Sequence, residues 1–472
     1  MNEYKNVLII GAGKAGGLLL KDIEENHPNC KVVGFVDDVK KENKINVLGR
    51  IEDLSKINKI YKIDEMIIAI PSANGELVRR ILLKNLSNRI PIKIVPRSQK
   101  IISSSNVNYC EVKNLDSEDF LGRPFVKGNI EKLKHFYKGK VILITGGAGS
   151  IGSEIVRQLL DLEVKKVIVY DNSEYAIFNL DQGLKEKGVL KNKYKLIIGN
   201  ILNHKKFDCI IKEEKPDMVF HAAAYKHVYL MEDNIDEAVL NNVIGTKKVI
   251  DAVIENNIKQ FTFISTDKVV NPTSVMGATK KLCEYYIKSL NSEKTKFNIV
   301  RFGNVINSNG SALPLFERQS RDNKYITITH KKMKRFFMSI REAARLVIES
   351  TGEKSSDSIH ILNMGDLINI YEVAQCLVRS RNLIPEDDIE FKIIGLRKGE
   401  KMVEELYTEV EKNNLIKTKM ENVFTLKNFE KCPANITGIL SDLEKLALEF
   451  NNSIRVEVKK YLKKVFPSLI IK

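Results

Sequence analysis

The sequence predicts an α/β fold made of two Rossmann-like domains, each a doubly wound parallel sheet, the second carrying a smaller C-terminal substrate-binding subdomain. Apolar strands alternate with amphipathic helices along the chain, which is the pattern of parallel sheets. Two of these strands run directly into glycine-rich turns. The length of 472 residues suits two or three domains. We predict a first domain at 1–120, a linker at 121–139, a second domain at 140–425 and a helical tail at 426–472.

The first domain opens with a strand, a tight turn and a helix. The stretch "NVLIIGAGKAGGLLLKDI" places Gly11, Gly13 and Gly16 in GxGxxG spacing after an apolar strand. The next strand, "KVVGFVDD", reaches Asp37, about 20 residues beyond the last glycine, where an acid can hydrogen-bond a ribose. The same glycines would also permit close packing of helix on strand. The sequence therefore leaves the ligand of this domain open.

The second domain carries a stronger nucleotide-binding signature. In "KVILITGGAGSIGSEIVRQLL" an apolar strand precedes Gly146, Gly149 and Gly152 in GxxGxxG spacing, and an amphipathic helix follows. Such glycines let the backbone turn beside a pyrophosphate, and the helix N-terminus offers free N–H groups. The next strand, "KKVIVYD", ends at Asp171, whose carboxylate would accept from ribose hydroxyls and repel a 2′-phosphate. The pattern predicts NAD as the cofactor.

Two later strands end in groups suited to chemistry. "MVFHAAAYKHV" brings the small residues Ala222 to Ala224 to a strand end, where a dinucleotide can approach the backbone. "QFTFISTDK" is an apolar strand that ends in Thr266, Asp267 and Lys268. Ligands of open parallel sheets bind at the carboxyl ends of the strands, so we expect these three residues at the chemical end of the second sheet. A surface ion pair between Asp267 and Lys268 is the plainer alternative.

Composition narrows the function classes. The net charge is +16, but lysine and glutamate are interleaved along the chain, so we predict a solvated surface and no nucleic-acid partner. No apolar run approaches the roughly 20 residues of a membrane span, and we expect no signal peptide. The six cysteines are scattered without a CxxC, which indicates reduced thiols of a cytoplasmic protein.

Seven stretches of the second domain together resemble a known family. They are "TGGAGSIGSE", "HAAAYKHVYLME", "STDKVVNPTSVMGATK", "RFGNV", "GSALPLF", "KRFFMSIREAARLV" and "GLRKGEK". This part of the chain resembles the extended short-chain dehydrogenase/reductase superfamily, and most closely its nucleotide-sugar 4,6-dehydratases, which act on UDP-N-acetylglucosamine in bacterial polysaccharide and glycan synthesis. The first domain resembles the one that precedes the catalytic domain in long, often membrane-anchored members. We expect no membrane anchor here.

The resemblance implies an NAD-dependent loss of water across C5 and C6 of the sugar, giving a 4-keto-6-deoxy product. Oxidation at C4 makes the C5 proton acidic, O6 leaves as water, and the hydride returns to C6. By resemblance, Asp267 protonates the leaving O6 and Lys268 removes the C5 proton. A lysine base must be neutral, so we expect the site to depress the pKa of Lys268 below its ordinary value of about 10.4.

Dehydrogenases of this superfamily usually place a tyrosine four residues before a lysine, and here Met276 stands four residues before Lys280. The resemblance identifies this methionine as a mark of the family's long branch. We expect Asp267 to take the C4 hydroxyl proton through the Thr266 hydroxyl and to deliver it later to O6. Lys280 would bind the nicotinamide ribose. Tyr225 is a second candidate proton carrier.

The complete set of predicted site residues falls into three groups. The catalytic residues are Thr266, Asp267, Lys268, Met276 and Lys280. The cofactor-binding residues are Gly146, Gly149, Ser150, Ile151, Gly152, Asp171, Ala222, Ala223 and Lys280. The substrate-binding residues, with basic groups for a diphosphate, are Lys226, His227, Asn304, Arg335, Arg397 and Lys401. We predict no metal site, because the histidines lack companion ligands at suitable spacing.

Three positions depart from the family pattern: Asn200 replaces an aspartate common near the adenine, and Tyr229 and Lys398 each replace a proline. We interpret them as tolerated changes. A 4-epimerase is one alternative, although it would call for a tyrosine and would lack the pair of Asp267 and Lys268. A non-catalytic sensor of NAD or nucleotide sugars is another. We expect a cytoplasmic homo-oligomer, and the stereochemistry at C5 is left open.

Overall fold

The chain forms two compact units. The computed structural model describes residues 4–39, 46–96, 107–123, 129–290, 292–352, 358–420, 422–426, 432–449 and 452–469. The first unit contains Met1–Phe125, Ser311–Met333 and Ile368–Gly395, and the second contains Val126–Gly310, Lys334–Leu367 and Leu396–Lys472. Parts of the predicted linker and tail, 124–128, 427–431, 450–451 and 470–472, lie outside the described residues.

Strands and helices alternate through the N-terminal part of the first unit. In chain order they are β1 (Lys5–Ile10), α1 (Lys14–Asn26), β2 (Cys30–Val36), β3 (Val47–Gly49), α2 (Leu54–Tyr61), β4 (Glu65–Ile68), α3 (Gly75–Leu83), β5 (Ile92–Ile94), β6 (Lys113–Asn114) and α4 (Ser117–Leu121).

The same alternation continues in the second unit. Its elements up to residue 310 are α5 (Ile130–Tyr137), β7 (Val141–Thr145), α6 (Ser150–Leu160), β8 (Lys166–Asp171), α7 (Glu174–Glu186), β9 (Tyr194–Ile198), α8 (His204–Glu214), β10 (Met218–His221), α9 (Val228–Asp233), α10 (Ile235–Ala238), a π-helical stretch Val239–Gly245, α11 (Thr246–Glu255), β11 (Gln260–Ile264), α12 (Val275–Ser289), β12 (Lys296–Arg301) and β13 (Asn304–Val305).

The remaining elements are shared between the two units. They are α13 (Ala312–Asp322), β14 (Tyr325–Ile328), β15 (Lys334–Arg335), β16 (Phe337–Met338), α14 (Ile340–Thr351), β17 (Ser358–Leu362), β18 (Ile368–Asn369), α15 (Ile370–Ser380), β19 (Glu390–Ile393), α16 (Glu409–Lys412), β20 (Leu415–Lys417), β21 (Val423–Leu426), α17 (Ile436–Leu448) and α18 (Asn452–Val465).

Each unit is built on a doubly wound sheet. Among the described residues, the first sheet has the order β3-β2-β1-β4-β5-β6, with an antiparallel β6. The second has the order β20-β21-β17-β12-β11-β10-β7-β8-β9, in which β17 to β9 run parallel and β21 and β20 form an antiparallel edge. In both sheets the strand order reverses beside the first strand, β1 or β7, which is where such sheets bind ligands. The predicted α/β class with Rossmann-like sheets is confirmed.

The glycine-rich turns of the two units share one geometry. Gly11 and Gly146 follow β1 and β7 with positive φ angles of 109° and 64°, which favour glycine. A Cβ atom on Gly16 would lie 2.0 Å from the Gly11 carbonyl oxygen, and one on Gly152 would lie 2.2 Å from that of Gly146. Both helices can therefore approach their strands only because these positions lack a side chain.

In each unit a carboxylate accepts a hydrogen bond from the backbone of the glycine-rich turn. Asp37 accepts the Ala12 backbone N–H through Oδ2 at 2.8 Å. Asp171 accepts the Ala148 N–H through Oδ2 at 3.0 Å. In each unit an acid at the carboxyl end of the second strand thus fixes the glycine turn after the first strand, a role that the sequence analysis did not assign to either acid.

A buried charge network joins three elements of the second unit. Arg301 at the end of β12 is fully buried and donates to both carboxylate oxygens of Glu284 on α12, at 2.8 and 2.7 Å. Its third contact is Glu411 of α16, at 2.8 Å. The Ser265 hydroxyl, directly after β11, donates to Glu284 at 2.7 Å. The network fixes α12 against the strand ends that carry the candidate site.

We predict that Arg301→Met destabilises the second unit by about 3–5 kcal/mol, because it leaves two buried carboxylates without their cation. Urea unfolding followed by circular dichroism measures the effect. Arg321→Met is the matched control, since that arginine is 73% exposed. A midpoint for Arg301→Met equal to that of the control would contradict the assigned role.

Candidate active site

Three consecutive residues form the centre of the site. Strand β11 lies inside the parallel sheet, and Thr266, Asp267 and Lys268 follow its carboxyl end. The Thr266 hydroxyl donates to Asp267 Oδ1 at 2.8 Å. The Lys268 ammonium donates to the same oxygen at 2.9 Å and to Asn304 Oδ1 at 3.1 Å. Thr266 and Lys268 therefore both donate to the same carboxylate oxygen of Asp267.

The other carboxylate oxygen of Asp267 is uncommitted. The Asp267 side chain is fully buried, and its Oδ2 has no hydrogen-bond partner within the described part of the chain. A Cβ atom on Gly303 would lie 3.2 Å from this oxygen, so glycine at 303 leaves room beside it. Buried polar atoms are normally paired, so an unpaired carboxylate oxygen at a strand end marks a candidate functional group.

Lys268 does not have the lowered pKa that the sequence analysis expected. Burial lowers the pKa of Lys268, but the carboxylates of Asp267 and then Glu404 outweigh it, and the net direction is upward. The ammonium is therefore the resting form. The expectation was wrong because the negative charges of Asp267 and Glu404 act on the Lys268 ammonium more strongly than burial does.

Exposure distinguishes the members of the cluster. Asp267 is fully buried, whereas the Lys268 side chain keeps 19% of its surface exposed and Thr266 is half-buried. A molecule in the site would meet the threonine hydroxyl and the lysine ammonium before it met the carboxylate. Protons can reach Asp267 through either neighbour.

Helix α12 presents the predicted residues Met276 and Lys280. Met276 is 3% exposed and packs in the main apolar core of the second unit. The Lys280 ammonium lies 3.8 Å from the centroid of the Phe263 ring, and no described carboxylate lies within ion-pair distance. Burial lowers the pKa of Lys280 to about 8. Met276 contributes shape and no proton, and the pKa of Lys280, one helical turn later, is depressed where that of Lys268 is not.

The candidate cofactor site lies at the turn between β7 and α6. Gly149 caps α6 without a side-chain hydrogen bond, so the first N–H groups of the helix are open to a ligand. A Cβ on Gly149 would approach one backbone oxygen, at 3.3 Å, which leaves the space before the helix clear. Ala223 packs directly on Gly146, where an added Cβ would lie 2.5 Å from its nitrogen. Ala222 precedes it, and Ile151 is half-buried on α6.

The Ser150 hydroxyl of this turn accepts the backbone N–H of Asn309 at 3.0 Å. Asp171, predicted to bind the ribose, accepts the Ala148 N–H through one carboxylate oxygen and the Ser173 N–H through the other, at 3.0 Å. It remains 9% exposed. The carboxylate thus holds both the glycine turn and the start of α7 in place at the edge of the site.

The predicted substrate residues fall into two groups. Lys226 is exposed near Lys268; loss of hydration and then the charge of Lys268 lower the pKa of Lys226. His227 packs under Gly310, where an added Cβ would lie 2.4 Å from the imidazole. The Arg397 guanidinium lies 4.9 Å above the Tyr229 ring. These groups stay accessible.

Two other predicted phosphate ligands are committed elsewhere. Arg335 is 7% exposed and donates to the backbone carbonyls of Lys401, Lys334 and Met402 at 2.8, 2.8 and 3.3 Å. The Lys401 ammonium donates to the Val270 carbonyl at 2.7 Å. The geometry therefore does not support a diphosphate contact by Arg335 or Lys401, whose cations hold the 396–405 segment in place.

The three residues that depart from the family pattern, Asn200, Tyr229 and Lys398, each make a structural contact. Tyr229 supplies the ring under Arg397, and Lys398 forms an ion pair with Asp233 at 3.3 Å. Both contacts join the loop after residue 395 to helix α9. The Asn200 side chain accepts the Leu202 backbone N–H through Oδ1 at 2.8 Å.

Sequence reasoning missed Asn242 of the π-helical stretch. Its side chain accepts the Tyr225 N–H at 2.7 Å and donates to the Tyr225 carbonyl at 3.0 Å and to the Thr279 hydroxyl at 3.2 Å. It ties the loop after β10 to α12. The polar pair "NN" inside the apolar run "AVLNNVIG" was the available signal, and π-helical turns often occur at functional sites.

His221 is a structural residue. It is fully buried between the hydroxyls of Thr145 and Thr246, at 2.6 and 2.8 Å. Burial and then the charge of Lys280 hold the pKa of His221 well below its usual value. No cluster of potential metal ligands occurs among the described residues. Within the same part of the chain, no helix is long and apolar enough to cross a bilayer.

Comparison with known proteins identifies a family for the larger part of the chain. The family model described as polysaccharide biosynthesis protein matches residues 142–428. The chain belongs to this family. The resemblance to nucleotide-sugar dehydratases and epimerases of the extended short-chain dehydrogenase/reductase superfamily is confirmed. A second family model, described as CoA-binding domain, matches residues 1–96 of the first unit.

Individual relatives span most of the chain. The capsular polysaccharide biosynthesis protein CapD of Staphylococcus aureus is 36% identical over 419 residues, which is 87% of this chain and 69% of that protein. The X-ray structure of Pen from Bacillus thuringiensis is 36% identical, with a TM-score of 0.57, and the match covers 62% of this chain and 88% of that one.

Two further relatives differ in reaction. The inverting UDP-N-acetylglucosamine 4,6-dehydratase of Campylobacter jejuni is 31% identical over 274 residues, 57% of this chain and 77% of that protein. The UDP-glucose 4-epimerase of Rickettsia rickettsii is 34% identical over 281 residues, 58% of this chain and 79% of that protein. Sequence similarity alone does not distinguish dehydration from epimerisation, so the distinction depends on the residues of the site.

We predict that the depressed pKa of Lys280 appears as pH-dependent stability. An unfolded lysine stays protonated to about pH 10.4, whereas folded Lys280 deprotonates near pH 8, so the folded state binds fewer protons between these values. Wild-type stability should therefore rise with pH across this window relative to Lys280→Met, by up to about 3 kcal/mol.

Thermal unfolding of both proteins from pH 7 to pH 10.5 tests this expectation. Lys463→Met, at an exposed position, is the control and should follow the wild-type curve. Parallel curves for the wild type and Lys280→Met would show that Lys280 keeps an ordinary pKa.

Proposed function

We propose that this protein is an NAD-dependent UDP-N-acetylglucosamine 4,6-dehydratase that makes a UDP-4-keto-6-deoxy-N-acetylhexosamine for surface polysaccharide or glycoprotein glycan synthesis. The observation that carries the proposal is the Asp267 carboxylate, which accepts from Thr266 and Lys268 on one oxygen and has no partner on the other within the described residues. Dehydration needs an acid for O6 and a base for the C5 proton, and this cluster contains both.

The turn after β7 fits a dinucleotide. Gly149 leaves the α6 N-terminus clear for a pyrophosphate, and Asp171 at the end of β8 would disfavour a 2′-phosphate. Lys280 would bind the nicotinamide ribose. NAD, when bound, would accept the C4 hydride and return it to C6, so the cofactor would leave the cycle unchanged.

Proton transfer from the C4 hydroxyl would begin at Thr266. Its hydroxyl is half-buried and already donates to Asp267 at 2.8 Å. It can pass its own proton to the carboxylate while it accepts one from the sugar. Asp267 would then hold the proton until O6 leaves, and it would serve first as base and later as acid. No tyrosine is needed, which accounts for Met276.

Lys268 would become a base only after this transfer. The charge of Asp267 is the largest influence that raises the pKa of Lys268. A proton arriving on Asp267 cancels that charge, and burial then favours the neutral amine. Lys268 can release its proton at its exposed side and accept the C5 proton, and it would give a proton back to C5 when the hydride reaches C6. The order of the chemistry, C4 oxidation before C5 deprotonation, thus follows from the coupling of two adjacent side chains.

The epimerase alternative is favoured by the similarity to UDP-glucose 4-epimerases. It needs one acid–base group at C4 and leaves O6 in place. Met276 removes the usual tyrosine, and the paired acid and base have no task in epimerisation. A sensor that binds nucleotide sugar without turnover is the other alternative. A cytoplasmic homo-oligomer remains a prediction.

Incubation with UDP-N-acetylglucosamine and NAD, followed by mass spectrometry, distinguishes these functions. We expect loss of one water from the sugar nucleotide, with no net production of NADH. Conversion to UDP-N-acetylgalactosamine at unchanged mass would establish the epimerase, and unchanged substrate would establish a protein without either activity.

We predict that Asp267→Asn lowers turnover by about 10²–10⁴-fold, the usual contribution of a general acid–base group. Asparagine keeps the shape but cannot carry the proton. In a single turnover, the NADH absorbance reports C4 oxidation, which should also slow. Glu405→Gln is the matched control, because the Glu405 carboxylate is half-exposed, forms an ion pair with Lys401 and takes no part in the proposed proton transfer. C4 oxidation at the wild-type rate in Asp267→Asn would eliminate the shuttle.

A further inference from the structure

The C-terminal helical hairpin, α17 and α18, follows the segment that matches the family model, yet it places a cation in the interior of the second unit. Lys459 of α18 is 7% exposed. Its ammonium lies 2.7 Å from Oε2 of Glu232, whose side chain is fully buried. A buried carboxylate is costly without a cation close by, and for Glu232 that cation is Lys459 of the C-terminal hairpin.

Glu232 also holds the start of the catalytic helix. Its Oε1 accepts the backbone N–H of Val275, the first residue of α12, at 2.7 Å. Ser274 caps the same helix by accepting the Gly277 N–H at 3.1 Å. The first N–H groups of a helix have no partner inside it, and a negative charge there is favourable. Val275 directly precedes Met276, so this contact sets the position of α12 where the helix enters the site.

The loop that carries Arg397 rests on the same carboxylate. A Cβ atom on Gly399 would lie 3.0 Å from Glu232 Oε1 and 2.8 Å from the Ser274 Cβ. The Gly399 carbonyl accepts the Thr273 hydroxyl at 3.1 Å. Glu232 thus lies between the N-terminus of α12 and the candidate diphosphate loop.

Two more contacts of the chain's end bracket α12. The Ser468 hydroxyl donates to the Pro272 carbonyl, just before the helix, at 2.9 Å. The Phe466 ring stacks on Tyr285 near the other end, with centroids 6.0 Å apart and planes 8° from parallel. The hairpin therefore supports both ends of the helix that carries Lys280.

We propose that Lys459 is a positioning residue of the active site, which acts through Glu232 on α12 and on the 396–401 loop. The hairpin is then part of the catalytic framework. The expected effect on turnover rests on the proposed dehydratase function. The position of Lys280 can also be tested by measuring the affinity for the cofactor. Lys459 touches neither substrate nor cofactor.

The test compares Lys459→Met with Lys459→Arg and with Lys460→Met, a change at the exposed neighbouring position. Isothermal titration calorimetry measures the dissociation constants of NADH and of UDP, at a temperature well below the thermal midpoint of each variant. We expect Lys459→Met to weaken NADH binding about tenfold, Lys459→Arg to restore it to within about threefold, and Lys460→Met to match the wild type. kcat/KM for dehydration should fall in parallel.

A merely structural role would lower the thermal midpoint of Lys459→Met and leave NADH affinity and kcat/KM at wild-type values, which would overturn the proposal. If Lys459→Met does not accumulate folded, Glu232→Gln/Lys459→Met removes both charges and is titrated in its place; wild-type NADH affinity in that protein would equally overturn it. Absence of dehydration by the wild type refutes the proposed function, and the NADH titration still decides the role of Lys459.

Discussion

The candidate site depends on one buried carboxylate, that of Asp267, at the carboxyl end of a central strand. A carboxylate without water is costly unless charge or hydrogen bonds compensate it, and here Lys268 and Thr266 do so on Oδ1 alone. Among the described residues Oδ2 has no hydrogen-bond partner, which costs stability and marks Asp267 as a candidate functional group. Gly303 preserves the space beside that oxygen, so the backbone after β12 takes part in keeping the site reactive.

Helix α12 is held at its start, middle and inner face by polar contacts in addition to its apolar packing. Glu232 accepts from its first N–H, Asn242 from the π-helical stretch donates to Thr279, and Glu284 binds Arg301. Hydrogen bonds of defined geometry limit rotation and sliding more strongly than apolar contacts do, because they tolerate little change of distance or angle. The helix that presents Lys280 is therefore constrained along most of its length.

Features that depend on neighbours in sequence could be predicted. The glycine turn, Asp171 and the cluster at 266–268 follow from strands and spacings that a single segment displays. The direction of the Lys268 pKa depends on a balance that the sequence does not show: burial lowers this pKa, whereas the charge of adjacent Asp267 and then that of Glu404, which folding brings near, raise it. Arg335 and Lys401 look like phosphate ligands in sequence, but their cations bind carbonyls that only the fold brings near. The grouping of 368–395 with the first unit is also non-local: fully buried Arg379 donates to the carbonyls of Asn85 and Ile90.

A methionine at position 276 changes which groups can carry charge near the sugar. Lys280 lies one turn after Met276, and burial brings its pKa to about 8. In the proposed mechanism the proton transfers would be carried out by Asp267 and Lys268, whose charges depend on each other: protonating Asp267 would remove the main influence that raises the pKa of Lys268. The two adjacent residues would then supply first an acid and afterwards a base. Water elimination requires both, whereas simple oxidation and reduction at C4 requires one, so the replacement of tyrosine is consistent with a site specialised for elimination.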